Sequence, residues 1–315
     1  MTVRSLVKRR HGSMKLLSVV ATLATAMCSC SVATGTSNTE LQRQLQECRQ
    51  AYVADYSLSR IQIPAMEFAT FSPFALQGDA ESIKALKESQ ATIGQFVDEL
   101  QHGGRNGVLK SHVGEPKYVA ALDVMSGAVK KAGMDIAFLE SNRVDLAGAQ
   151  DSAYRVNSAI PKISASEDEL ARAMSDANAR PSQIGLVNRQ IVLLYSMSRH
   201  ISEMLDGGEV GASAADALNR DNFVWLSVSR GMKNGNPEMG LLKLQSPKEQ
   251  LALKKVMDAY DAIAADLDSI IALSGKLKSA GSAIDDISSQ RLEILSKSQD
   301  LYDLVDAGPQ HCDEK

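Results

Sequence analysis

The stretch Asn188 to Gly208 reads NRQIVLLYSMSRHISEMLDGG and decides the fold class. Val187, Ile191, Leu194, Ser198, Ile201 and Leu205 recur at steps of three and four, the spacing of one face of an amphipathic helix. Gly207 suits the positive-φ residue that closes a helix. Segments of the same periodicity fill most of the chain, and none shows the two-residue alternation of a strand. The expected fold is all-α, as two tandem up-down four-helix bundles.

Outward from that stretch, Leu41, Leu45, Cys48, Tyr52 and Tyr56 predict a first helix that Pro64 and Pro73 should kink or break. Asp79 is a candidate N-cap for a helix carrying Ile83, Leu86, Ile93, Phe96, Val97 and Leu100. Pro116 suits the first position of a third helix, with Gly148 marking a break and Pro161 an end. Ser166-Glu167-Asp168-Glu169 has the form of a capping box, starting a helix that continues, kinked at Pro181, into the Asn188 stretch. Leu218, Trp225 and Met232 stripe the next helix. Ser246-Pro247-Lys248-Glu249 is a second capping box, and Gly281 marks a late break.

The chain has 315 residues with only 4% aromatics, so its core must be aliphatic, which suits packed helices. A net charge of −4 with no basic face argues against nucleic acid. Arg4, Lys8, Arg9, Arg10 and Lys15 precede an apolar run from Leu16 to Cys28, too short to span a bilayer comfortably. Residues 1–30 read as an export signal, and Ser31 to Asn38 as a tether. Either cleavage follows Ala24-Thr25-Ala26, or Cys30 or Cys28 carries a lipid in the manner of a lipoprotein. Cys48 and Cys312 lie near opposite ends of the exported part. An even-numbered antiparallel bundle would bring them together as a disulfide; the alternative is two free thiols.

The two halves can be laid over each other. Arg60 falls on Arg189 and Gly78 on Gly207. Leu86, Ile93 and Leu100 fall on Leu218, Trp225 and Met232. Gly107-Val108-Leu109 falls on Gly240-Leu241-Leu242, and Gly148 on Gly281. The expected division is a tether and helix start at 31–50, a first bundle at 51–165 and a second at 166–315.

Asn188-Arg189-Gln190, Val192-Leu193 and Met197-Ser198-Arg199 resemble the pattern Gly-Arg-Gln-Arg-Met-Leu-Ser-Gln-Arg-Ile-Ala-Lys. That pattern opens the N-terminal sensor domain of type IV pilus methyl-accepting chemotaxis transducers, the PilJ type, related to NarX-like nitrate sensors. Trp225, Gly231-Met232-Lys233-Asn234-Gly235 and Gly240-Leu241 agree with it. The resemblance covers about Ile184 to Val305 directly, and Tyr52 to Ile160 through the repeat. It implies an envelope sensor module, detached from the membrane helix and signalling domain that usually follow. The nitrate-binding relatives use arginines of this motif at a dimer interface. This chain keeps Arg189, while Ile191 and Ser196 occupy the other two positions.

An arginine fork matches a planar anion. The candidate ligand site is therefore Arg60, Arg189 and Gln190, with Arg60 and Arg189 facing each other if the halves pack as a pseudo-dimer. The competing reading has both arginines paired with carboxylates at helix starts. His102, His112, His200 and His311 lack metal spacing, and His200 beside Arg199 reads as a surface or edge residue. No cofactor, nucleophile with a convergent base, or phosphate loop is expected. The functional expectation is a non-enzymatic periplasmic or lipid-anchored sensor of a Gram-negative-type envelope, signalling through a partner. The alternative is an envelope protein that contacts another protein and binds no small molecule; a third, a small hydrolase, would need a clustered triad.

Overall fold

The computed structural model describes residues 38–104, 109–110 and 112–306, with the backbone alone for most of 38–59. These residues form eight helices: α1 Asn38–Leu76, α2 Ala80–Gln101, α3 Pro116–Ser141, α4 Arg143–Asp176, α5 Pro181–Asp206, α6 Gly208–Asn234, α7 Pro247–Ala272 and α8 Ser274–Asp306. No strand occurs among the described residues; Asn236 and Leu241 form one isolated bridge. The protein is all-α.

Some sequence signals act as expected. Asp79 caps α2, its Oδ2 accepting from the Ser82 amide at 2.8 Å. Ser246 and Glu249 form a reciprocal capping box at α7, with Pro247 at the first turn. Gly207 ends α5 at φ +73.

Other signals give way to packing. Pro64 and Pro73 lie inside a continuous α1, and Pro161 inside a continuous α4. Each proline removes one backbone hydrogen bond, a loss that the buried faces of these long helices outweigh. Ser166 is not a cap: it sits mid-helix, its hydroxyl bonded to the Lys162 carbonyl at 3.1 Å. The chain turns instead between α4 and α5, where Asn178 takes φ +55 and Pro181 opens α5. The breaks expected at Gly148 and Gly281 fall at Asn142 and Leu273. The buried face of α5 is Gln183, Val187, Gln190, Leu194, Met197, His200, Ile201 and Met204. Ile191, Ser198 and Leu205 only flank it.

Because α3 runs into α4, and α7 into α8, with a single residue between, each pair forms a long rod. The rods lie antiparallel. Gln290 donates to Asp135 at 3.0 Å, Lys276 pairs with Asp145, Arg155 with Asp266, Lys255 with Glu169 at 2.8 Å and Lys248 with Asp176 at 2.6 Å. Partner numbers fall on one rod as they rise on the other.

Two four-helix bundles follow one another along these rods, and their fourth helices are exchanged. The first quartet is α1, α2, α3 and α8; the second is α4, α5, α6 and α7. Each takes three helices from one half of the chain and the last helix of the other. A cut between Ala165 and Ser166 passes through the middle of α4.

The repeat is visible in the burial pattern. Ile61, Ala65 and Phe68 of α1 correspond to Gln190, Leu194 and Met197 of α5, 129 residues on. Leu86, Ile93, Val97 and Leu100 correspond to Leu218, Trp225, Ser229 and Met232, at 132. Leu122, Met125, Val129, Ala132, Ile136 and Leu139 correspond to Leu253, Val256, Tyr260, Ile263, Leu267 and Ile270, at 131. Ala153, Ile160 and Ser164 of α4 correspond to Ile287, Ile294 and Ser298 of α8, at 134. The structure shifts two expected pairs by one residue. Leu109 matches buried Leu241 rather than Leu242, and Ala147 rather than Gly148 matches Gly281, since Gly78 abuts Ala147 as Gly207 abuts Gly281.

Candidate functional site

Arg60 and Arg189 sit at matching places in the repeat, and the chain does not bring them together. Each lies eighteen residues before the glycine turn that ends its helix, Gly78 or Gly207. Both turns meet at the junction of the quartets, against the starts of α4 and α8. At 1.5 Å per residue each arginine stands about 27 Å from that junction, on opposite sides of it. The expected face-to-face pair is therefore not formed within one chain, because the exchange of fourth helices stacks the halves end to end. Arg60 is half-buried with its guanidinium carbon 4.2 Å from the centre of the Phe96 ring. Arg189 is exposed on the outer face of α5.

Gln190 points the other way. It is fully buried, and its Nε2 donates to the Trp225 carbonyl at 3.0 Å and to Ser229 Oγ at 2.6 Å. It ties α5 to α6 through the core. The Cys48–Cys312 pairing and the lipid on Cys28 or Cys30 lie outside the described residues, since only the backbone of Cys48 is described.

Around Gln190 is a polar layer that the sequence reading missed. Glu167 of α4 is fully buried, and neither carboxyl oxygen has a hydrogen-bond partner. Trp225 of α6 is fully buried, stacked on Tyr260 of α7 with ring centres 4.4 Å apart. The Tyr260 hydroxyl donates to Asn222 Oδ1. Trp225 Nε1 and Gln190 Oε1 are also buried without partners. Burial pushes the Glu167 carboxyl up to about 8, and the neighbouring Asp168 charge adds to this. The Trp225 indole N–H faces the carboxyl and opposes the shift, although the two stop short of hydrogen-bond geometry. The signal that could have exposed the layer is helical spacing: Ile160, Ile163, Glu167 and Leu170 continue one stripe.

His200 is buried rather than on the surface, because it faces α6. Its Nδ1 lies 3.1 Å from Glu203 Oε2, and its Nε2 3.2 Å from Ser196 Oγ and 3.5 Å from Asp221 Oδ2. Ser196, His200 and Glu203 thus follow the order of a nucleophile, a base and an orienting acid. All three stand on α5, whose interior amides are bonded within that helix and so are not themselves free to act as oxyanion donors. The cluster ties α5 to α6 through His200 and Asp221. An open cleft of about 480 Å³ at the far tip of the second quartet is lined by Lys233, Lys243, Lys254, Asp258 and Asp261, among others, and by none of the expected site residues.

Among the described residues, no helix is long and apolar enough to cross a membrane. No protein-family model matches the chain. AlkN of Alcanivorax borkumensis, described as a methyl-accepting chemotaxis protein, is 24% identical over 244 residues, which is 77% of this chain and 34% of that protein. The protein PilJ of Pseudomonas aeruginosa is 24% identical over 144 residues, 46% of this chain and 21% of PilJ. The chain thus spans about a third of the length of AlkN and a fifth of PilJ. The match to AlkN is too long to lie within one half. The chain is similar to PilJ-type chemotaxis transducers, as a transducer-like helical domain.

Proposed function

We propose that the protein is an exported, non-enzymatic sensor-type binding module, which takes up a small anion or polar ligand and passes that state to a partner protein. The observation that carries this reading is the match to a chemotaxis protein through both halves of the chain, on a frame of stacked four-helix bundles. A long rod shared by two quartets couples what happens in one to the other, which suits a signalling part. Arg189, exposed on α5, is the residue assigned to the anion, and its outward position fits a site completed by a second copy of the chain. Export and membrane attachment rest on the basic and apolar leader and on Cys28 or Cys30. Radiolabelled fatty acid incorporated by the wild type and lost in the corresponding Cys→Ser variant would support the anchor.

The test is calorimetric titration of the protein with nitrate, nitrite and small carboxylates. Saturable binding weakened tenfold or more by Arg189→Ala supports the reading. Binding of every tested anion that is unchanged in Arg189→Ala removes Arg189 from it.

A second reading has its own observation. Val192 and Tyr195 are 65% and 54% exposed on the same outer face of α5 as Arg189 and Arg199. Apolar side chains framed by arginines suit a protein contact without any small ligand. A Val192→Asp, Tyr195→Asp variant that loses its partner while anion binding persists would favour this alternative.

A further inference from the structure

The repeat supplies an internal control for the buried polar layer. Glu167, Gln190, Trp225, Ser229 and Tyr260 of the second quartet occupy the positions of Leu301, Ile61, Ile93, Val97 and Val129 in the first. The same five places are filled entirely by apolar side chains in one quartet and by polar or amphipathic ones in the other. A packing requirement alone does not call for this, since the first quartet closes without it. The layer also leaves both Glu167 oxygens, Trp225 Nε1 and Gln190 Oε1 without partners, although all are buried. Each such group carries a desolvation cost that an aliphatic residue would avoid.

We propose that Glu167 is a proton-binding site built into the second quartet, holding its proton while the layer is closed and releasing it when α4 and α6 part at that level. A protonated carboxyl has one O–H to donate and one oxygen to accept. Gln190 Oε1 is the orphan acceptor of the layer and Trp225 Nε1–H its orphan donor, so the neutral acid complements the surrounding inventory. The carboxylate would have only the Trp225 N–H, which stops short of hydrogen-bond geometry, to replace its water, and no cation is among the groups that act on it. Releasing the proton therefore opens the layer to water.

The groups of the layer support this direction. From α5 the layer presents Gln190; from α6, Asn222, Trp225 and Ser229; from α7, Tyr260. Of these only Tyr260 titrates, and burial pushes its phenol up to about 12. The charge that weighs on Glu167 is Asp168, on its own helix, and it favours the proton. Burial accounts for most of the rise of the Glu167 carboxyl to about 8. This inference concerns a layer separate from Arg189 and stands without the anion reading.

Trp225 is the only tryptophan in the chain, so its fluorescence reports on this layer alone. The experiment is a pH titration of that emission from 6 to 9.5 in the full chain, with helicity followed in parallel by circular dichroism. The wild type should show a single-proton transition centred near 8, with helicity largely kept. Glu167→Gln and Glu167→Leu, the latter copying the first quartet, should each give a flat curve. Amide exchange, corrected for its intrinsic pH dependence, should rise across α4 and α6 above the transition and stay unchanged in α2 and α3. A flat wild-type curve would overturn the proposal even if neither variant folds. So would a transition that persists in Glu167→Gln, or exchange that rises equally in both quartets.

Discussion

Gly207 and Gly281 meet backbone to backbone where the two quartets join: a methyl group on Gly207 would lie 2.7 Å from the Cα of Gly281. Gly78 stands in the same way against Ala147, where an added methyl would lie 2.6 Å from the amide nitrogen. Gly207 also takes φ +73, which a side chain resists. Gly207→Ala should therefore cost about 2–4 kcal/mol in chemical unfolding. Gly148→Ala, in open space inside α4, should be neutral or stabilise by up to about 1 kcal/mol. Equal effects at the two sites would contradict the close approach.

Arg155 and Asp266 join the two rods through a forked contact. Arg155 Nε lies 3.0 Å from Oδ2 and Nη2 2.6 Å from Oδ1. The guanidinium holds the Asp266 carboxyl below the usual carboxylate range. A lowered carboxylate adds stability that is present above its unfolded pKa of about 4 and lost as pH falls through its folded value. Arg155 is 56% exposed and Asp266 19%, so solvent screens the pair and Arg155→Ala should lower stability only slightly near pH 7. That difference should shrink in high salt and vanish in acid; a difference that persists at pH 2 would assign Arg155 a packing role instead.

Glu167 has the opposite sign. In the unfolded chain it loses its proton near 4.5, whereas the folded quartet holds it to about 8. The folded state thus carries an extra proton between those values, and its stability falls as pH rises through them, by about 1.4 kcal/mol per unit at most. Urea unfolding followed by Trp225 emission should show the advantage of Glu167→Gln over the wild type growing from pH 5 to pH 8. A constant difference across that range would mean that Glu167 does not titrate in the folded quartet.

Helices, caps and the repeat were legible because periodicity and capping are local. Asp79, the Ser246–Glu249 box and Gly207 act where the sequence places them. The prolines misled because a helix buried along its length tolerates the loss of one hydrogen bond, as α1 does at Pro64 and α4 at Pro161. Ser166-Glu167-Asp168-Glu169 has the letters of a cap, yet Glu167 continues the buried stripe of α4; only tertiary contact separates the two readings. Gln190 and His200 were assigned to ligand or surface because polar residues usually belong there. Their burial depends on partners from α6, which no local pattern encodes. The exchange of α4 and α8 was illegible for the same reason: a tandem repeat looks identical whether its last helices pack at home or across.

That exchange is the central claim, and hydrogen exchange on a chain ending at Ala272 tests it most directly. Removing α8 should strip protection from α1, α2 and α3 and leave most of it in α4, α5, α6 and α7, since the second quartet keeps all four of its members. Lost protection in α5, α6 and α7, with α1 through α4 intact, would mean that each half folds on itself and would contradict the account.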